Sequence, residues 1–319
     1  MNFSVFDRPA HDRPMMALGL LLIGVLVLAL QDTLVKVASP QTSFWQFQAI
    51  RSFFNVLLVV GIAGLTLGFG VLRPQKPKPV FMRALMLGIC MIFFFGAAPQ
   101  ISVTQMAAGL YTYPLFITLM AGPVLGEKIG PWRLSALALG AIGSMTVLNP
   151  FSESFKWVQI MPIMAGFFYA CNVMILRKYC RNESPLALTF VVGLLFFALG
   201  ASGAIGMTLL KPSAALTEAV PFIFTGWPAL TGLVLGLCVL ASLLNLTGNI
   251  CLSRAYQTAD SSWLAPLDFS YLLFATLWGK ILFDTMPTPL AISGMVMIAS
   301  AGMITALREG VHRNKNKKD

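Results

Sequence analysis

Apolar residues run through this chain in blocks much longer than a soluble helix needs, and polar residues gather in short stretches between the blocks. A helix that crosses a bilayer takes about 17 to 25 mostly apolar residues. On that rule the blocks predict ten helices, near 15–36, 44–71, 82–102, 105–126, 131–149, 157–178, 185–209, 227–252, 259–281 and 287–307. Proline, glycine and charge mark the junctions, as in Arg73-Pro74-Gln75-Lys76-Pro77, Gly126-Glu127-Lys128-Ile129-Gly130-Pro131, Asn149-Pro150 and Lys211-Pro212-Ser213. The first block passes into Asp32 and Lys36 without a small-residue cleavage site, so it reads as a retained helix and not a signal peptide. The predicted fold class is an all-α polytopic membrane protein with ten transmembrane helices.

Composition sharpens this picture. Of the 319 residues, 57% are hydrophobic and 11% charged, against about 25% charged in an ordinary soluble domain. That excludes a soluble enzyme, a disordered chain and a secreted disulfide scaffold. The five cysteines lie in or beside apolar runs with no C-x-x-C pair, and they read as small core residues; no metal site or cofactor is expected. The net charge of +10 changes meaning once bases are sorted by side, because Lys and Arg favour the cytoplasmic ends of short loops. With a cytoplasmic N-terminus, all of them fall on one side except Lys36, Arg51, Lys156, Lys211 and Lys280. Both termini, a 1–14 tail and a basic 309–319 tail, are therefore expected in the cytoplasm of a bacterial cell, and the protein in its inner membrane. The excess charge is a topology signal in contact with membrane lipid, and nucleic acid is not an expected partner.

The chain also repeats itself. Tyr113-Pro114-Leu115-Phe116 in the fourth block and Pro266-Leu267-Asp268-Phe269 in the ninth are each followed by a short turn and a Gly- and Ala-rich helix. The two prolines are 152 residues apart. Each half, 15–149 and 157–308, then holds five helices, and an odd number forces the copies into opposite orientations. Inverted repeats of this kind are found in secondary transporters, with the substrate site near the midplane between them. Pro114 and Pro266 each remove a backbone hydrogen bond within a span. They read either as simple kinks or as a matched pair of hinges.

The run Leu30-Gln31-Asp32-Thr33-Leu34-Val35-Lys36, then Gln48-Ala49-Ile50-Arg51-Ser52-Phe53, resembles the opening of bacterial EamA-type carriers of the drug/metabolite transporter superfamily. Gly126-Glu127-Lys128 resembles that family's end of the first repeat, and Ala265-Pro266-Leu267-Asp268-Phe269-Ser270-Tyr271 through Leu277-Trp278-Gly279 to Pro287 resembles the second. The likeness spans roughly residues 15 to 308. It implies a ten-helix inner-membrane carrier with a central cavity, and it leaves the substrate open across amino acids, nucleotide-related metabolites, vitamins, polyamines and toxic cations.

Charges inside a membrane are costly, about 2.5–3.5 kcal/mol at the centre on insertion scales, so each is a candidate. Asp32 and Lys36 stand four apart on one helix face; they form an ion pair, or Asp32 has a gating or coupling role. Arg51 shares a stripe with Gln48 and Asn55 and reads as an anion receptor or as the counter-charge of Asp32. Asp268, two residues after Pro266 with no base beside it, suits proton coupling, reception of a substrate ammonium, or pairing with a base on another helix. Ser242, Asn245, Asn249 and Ser253 form a polar stripe on the eighth span, either a cavity lining or interhelical glue. Gln100, Tyr111, Tyr113, Tyr169, Asn172, Trp263 and Tyr271 are expected to supply further donors and aromatic walls. Trp45, Trp132, Trp157 and Trp227 fall at span ends and read as interface belts.

The only histidines, His11 and His312, lie in the tails, and no H-E-x-x-H, G-x-S-x-G or P-loop occurs. The expected function is a secondary transporter working by alternating access on a small polar or amphiphilic metabolite, with a proton as candidate coupling ion, acting as monomer or homodimer. The rival is a membrane-embedded enzyme without a recognised motif; a channel lacks its usual charged ring or repeated filter.

Overall fold

The structure is a computed structural model and describes residues 14–125, 131–149, 151, 155–258 and 264–315. Trp263, Glu127, Lys128 and the extreme termini, all considered above, lie outside the described residues. Among the described residues every regular element is helical. The helices are α1 (Pro14–Ala38), α2 (Phe44–Thr66), α3 (Pro77–Gly96), α4 (Val103–Leu110), α5 (Tyr113–Leu125), α6 (Pro131–Leu148), α7 (Met161–Tyr179), α8 (Pro185–Leu210), α9 (Ala214–Ala219), α10 (Pro221–Phe224), α11 (Gly232–Thr258), α12 (Ser270–Phe283) and α13 (Pro289–Lys315).

Six of them are long and apolar enough to cross a membrane. The fourth predicted span is instead two pieces, α4 and α5. The ninth is a 3-10 turn, Ala265–Phe269, running into α12. Proline explains both interruptions: Pro114 sits in the first turn of α5 and Pro266 in the first turn of the 3-10 segment, places where a missing N–H costs nothing. The segment after α8, read from sequence as a plain loop, folds into α9 and α10. Phe222 and Ile223 of α10 are buried against Phe44 and Trp45 at the start of α2. Trp45 is thereby taken out of the expected interface belt, since its indole N–H donates to the Ile223 carbonyl at 2.6 Å. Trp132 and Trp157 are exposed at helix starts and Trp227 is exposed in the segment between α10 and α11.

The long helices pack in pairs, α1 with α11, α2 with α8, α3 with α7 and α6 with α13. Their outward faces carry exposed Leu, Ile and Phe, among them Leu57, Leu65, Ile205, Leu209 and Leu273, as expected of a surface solvated by lipid. Between helices, small residues replace the hydrophobic effect as the means of association. A Cβ on Gly24 of α1 would lie 3.0 Å from the Gly248 carbonyl oxygen of α11. In the α6–α13 pair a Cβ on Gly294 would lie 2.6 Å from the carbonyl oxygen of Gly143. Backbone touches backbone there, and no side chain fits. Gly294→Leu is expected to lower stability by about 1–3 kcal/mol through overpacking, whereas Gly236→Leu, where the added atom meets nothing within 4 Å, should leave it unchanged. Thermal unfolding of the two purified variants checks this.

Candidate functional site

The two interrupted spans meet each other. A capping box between Ser102 and Gln105 starts α4, which ends at Tyr111 and Thr112; the Thr112 hydroxyl donates back to the Gly109 carbonyl at 2.7 Å. Tyr111 is thus projected from a break in one half of the chain. Its hydroxyl donates to the backbone carbonyl of Asp268, in the break of the other half, at 3.1 Å. Around that bond the rings form a continuous wall. Tyr111 stacks on Tyr271 with centroids 5.2 Å apart and an interplanar angle of 18°, and meets Phe269 edge-on at 5.3 Å. It also meets Tyr113 at 5.8 Å, and Tyr113 in turn meets Tyr169 at 4.9 Å. The charge of Asp268 reaches Tyr111, Tyr113, Tyr169, Tyr256 and Tyr271, five of the chain's six tyrosines.

A second carboxylate, Asp32 on α1, is held differently. Its Oδ1 accepts from the Gln31 amide at 2.9 Å and its Oδ2 from the Tyr271 hydroxyl at 2.5 Å. The Gln31 carbonyl accepts from the Asn245 amide of α11 at 3.0 Å. Gln31 is buried, and this row ties α11, α1 and α12 together. Arg51, also buried, interacts electrostatically with Asp32, donates to the Gln48 side-chain oxygen at 2.8 Å and lies 5.9 Å from the Phe95 ring centroid. The Arg51 Nε and the Gln48 Nε2 are buried with no hydrogen-bond partner.

Lys36 does not pair with Asp32. It donates to the Ile101 carbonyl, in the turn that follows α3, and sits 5.3 Å from the Phe283 ring centroid. The carboxylate is already occupied by inward donors, while the lysine stem reaches the helix end, where carbonyls lack helical partners. A cavity of about 650 Å³ opens there, and Lys36 is the charged residue among those lining it, beside Ser39, Thr42 and Thr225. Asp32 stands one helical turn deeper on the same face of α1, about 6 Å further in.

The remaining candidates divide. The eighth-span stripe is split: Ser242 is buried and donates to the Arg51 carbonyl at 2.8 Å, and Asn245 reaches Gln31. Asn249 is exposed and gives its amide to the Asn245 carbonyl of its own helix, and Ser253 is exposed too. Tyr169 and Asn172 share α7, where Asn172 is buried with its side-chain oxygen unpartnered. Sequence reasoning gave no weight to Gln31 or Tyr256. A buried amide beside an acid within an apolar run was the available signal for Gln31; for Tyr256 there was none.

A bundle of lipid-facing helices whose interior holds two carboxylates, an arginine and an aromatic wall, with two of its spans broken where they meet, is a multi-pass membrane transporter. Residues 15–149 match the EamA-like transporter family, the family that the opening motifs resemble. It is similar to the riboflavin transporter of Rhizobium johnstonii, 27% identical over 299 residues that cover 92% of this chain and 91% of that protein. It is also similar to the pseudopaline exporter CntI of Pseudomonas aeruginosa, 23% identical over 295 residues, 90% of this chain and 96% of that one. A crystal structure aligns over 91% of this chain and 96% of its own, with a TM-score of 0.59 at 19% identity, a likeness of fold alone. These relatives are transporters and not enzymes, which sets aside the rival reading.

The Tyr271–Asp32 bond carries a measurable coupling. Tyr271→Phe and Asp32→Asn, alone and combined, are expected to give a double-mutant coupling energy of about 1 kcal/mol or more in unfolding of the detergent-solubilised protein. Strictly additive effects would mean that the bond does not hold these helices together.

Proposed function

We propose that the chain is a secondary active carrier of the bacterial inner membrane, with both termini in the cytoplasm. By alternating access it moves a small polar or amphiphilic metabolite, such as an amino acid or a nucleoside-like compound, and a proton is the coupling ion. Its ten spans form two inverted five-helix repeats, 15–149 and 157–308. The observation that carries this reading is the meeting of the two proline-marked breaks at Tyr111 and Asp268. Discontinuous helices in corresponding positions of two repeats are where transporters of this kind place their sites.

The pairing of helices supports the repeat. Exchanging the halves turns the α1–α11 contact into the α7–α3 contact, returns α2–α8 and α6–α13 to themselves, and turns the packing of α4 and α5 on α7 into that of α12 on α1. Pro114 and Pro266 are then the hinges. Asp32, Arg51, Gln48 and Asn245 form one side of the path and Asp268, Tyr113, Tyr169, Asn172 and Tyr271 the other. Asn249 is assigned to its inner end. The 650 Å³ cavity at Lys36 is the vestibule on the outer side, because the C-terminal end of α1 is extracytoplasmic in this topology. Relatives named for both a transporter and an exporter fit a mechanism whose direction is set by gradients.

Two measurements test the reading. Proteoliposomes carrying the protein, given labelled riboflavin and a mixture of labelled amino acids, are expected to accumulate at least one of them faster than empty vesicles. An imposed pH gradient should raise the rate, and Asp268→Asn should lower it at least tenfold and abolish the pH response. Unchanged uptake and pH dependence in that variant would remove Asp268 from the mechanism. For topology, a reporter active only outside the cytoplasm should be silent when fused after residue 319; activity there would overturn the even number of spans.

A further inference from the structure

Among the described residues the buried charged side chains are Arg51, in the interior already described, and Glu183, in the turn between α7 and α8. The Glu183 Oε2 accepts from the backbone N–H of Gln75 at 2.9 Å, and its Oε1 from that of Lys76 at 2.6 Å. Lys76 caps the start of α3, and its own side chain makes no cap bond. Pro77 and Pro79, in the first turn of that helix, have no N–H to offer, so the carboxylate takes the two amides just before them. The positive end of α3 favours the same charge. A turn of the second half of the chain is thereby clasped onto the start of a long helix of the first. The clasp depends on an anion, since a neutral amide offers one acceptor oxygen where a carboxylate offers two.

The end of the bundle that Lys36 occupies is joined in another way. Exchanging the halves as above turns the α7–α8 turn into the α1–α2 turn, and the segment before α3 into the segment before α11. There Ser43 donates to the Gly226 carbonyl at 2.6 Å and the Gln46 amide to the Pro228 carbonyl at 2.8 Å, both neutral bonds. Beside them opens the 650 Å³ cavity, lined by Gln41 and Thr42 from one segment and by Thr225 and Pro228 from the other. One pair of segments thus borders open space, and its counterpart is clasped by a charge. A carrier open on one side needs its other side closed by contacts that can be given up. Bonds at a helix end near the membrane surface meet that need, because water replaces them on release. Resting on the carrier reading above, we infer that Glu183 is the latch of the cytoplasmic gate: it holds the α7–α8 turn on α3 while the outer cavity is open, and it releases both N–H groups when the carrier turns inward.

Cys180 reports on the latch. It lies in the same turn, 1% exposed, and its carbonyl accepts from the Glu183 N–H at 3.2 Å. The full-length protein, with Cys90, Cys171, Cys238 and Cys251 replaced by alanine, is labelled in inside-out vesicles with a membrane-impermeant maleimide. In a second background Thr225→Cys supplies the single cysteine, and labelling is done in right-side-out vesicles. Loss of a tenfold bias in Glu183→Gln brings an outward-to-inward ratio of about ten to parity, so the Cys180 rate should rise about fivefold and the Thr225→Cys rate fall by about half. Glu183→Asp, which keeps the charge but draws it back by one methylene, should give smaller changes of the same signs, and it reads the latch if the Gln variant does not fold. Unchanged labelling at Cys180 would overturn the inference. So would faster labelling at Cys180 with none lost at Thr225→Cys, the result expected of a static staple. Proteoliposome uptake separates the latch from the carrier reading. Uptake by the unmodified protein without opposed labelling leaves a carrier that closes through other contacts, while opposed labelling without uptake leaves the latch in place and the carrier reading without support.

Discussion

Backbone groups freed inside a bilayer have no water to turn to, and each costs several kcal/mol if left unpaired. At the interruptions near Pro114 and Pro266 side-chain hydroxyls add to the backbone N–H bonds that the Gly109 and Asp268 carbonyls already accept. The Thr112 hydroxyl takes the Gly109 carbonyl, and the Tyr111 hydroxyl crosses from one half of the chain to take the Asp268 carbonyl in the other. That contact joins the two interrupted segments. It also explains why the rings gather where they do, since the tyrosine that satisfies the carbonyl brings its own aromatic neighbours with it.

Around this junction the interior sorts its charges by depth. Lys36 is held at the helix end by a carbonyl and a ring, Asp32 stands one turn in among amide and phenol donors, and Arg51 is balanced on Gln48 and Phe95. None of these is a simple ion pair. Hydrogen bonds from neutral groups carry most of the compensation, which keeps each charge in place without locking it to a single opposite partner.

The parts of this arrangement that were legible in sequence are those that local chemistry dictates. Apolar runs placed the long helices, because a span needs a minimum apolar length, and paired prolines marked the breaks, because a missing N–H acts at its own position. Asp268 and Arg51 stood out as charges within apolar runs. What sequence could not reach depends on contacts between distant segments. Lys36 turned to Ile101, 65 residues away, although Asp32 lay a single turn off. Trp45 found the carbonyl of Ile223 because an unforeseen pair of short helices folded over it. Tyr111 caps α4 while Tyr113, Tyr169 and Tyr271 lie on three other helices, and nothing in their spacing foretells that their rings meet.

The row Asn245–Gln31–Asp32 has a direction. A carboxylate can only accept hydrogen bonds, whereas an amide donates from one edge and accepts at the other. Ionised Asp32 therefore turns the Gln31 amino group toward itself and its carbonyl toward α11, which obliges Asn245 to be the donor. The polarity of a link between helices from opposite halves of the chain is set by the ionisation of one oxygen pair. Were Asp32 to gain a proton and donate, both amides could rotate half a turn and the row would run the other way, so the charge on α1 is written into the orientation of a side chain on α11.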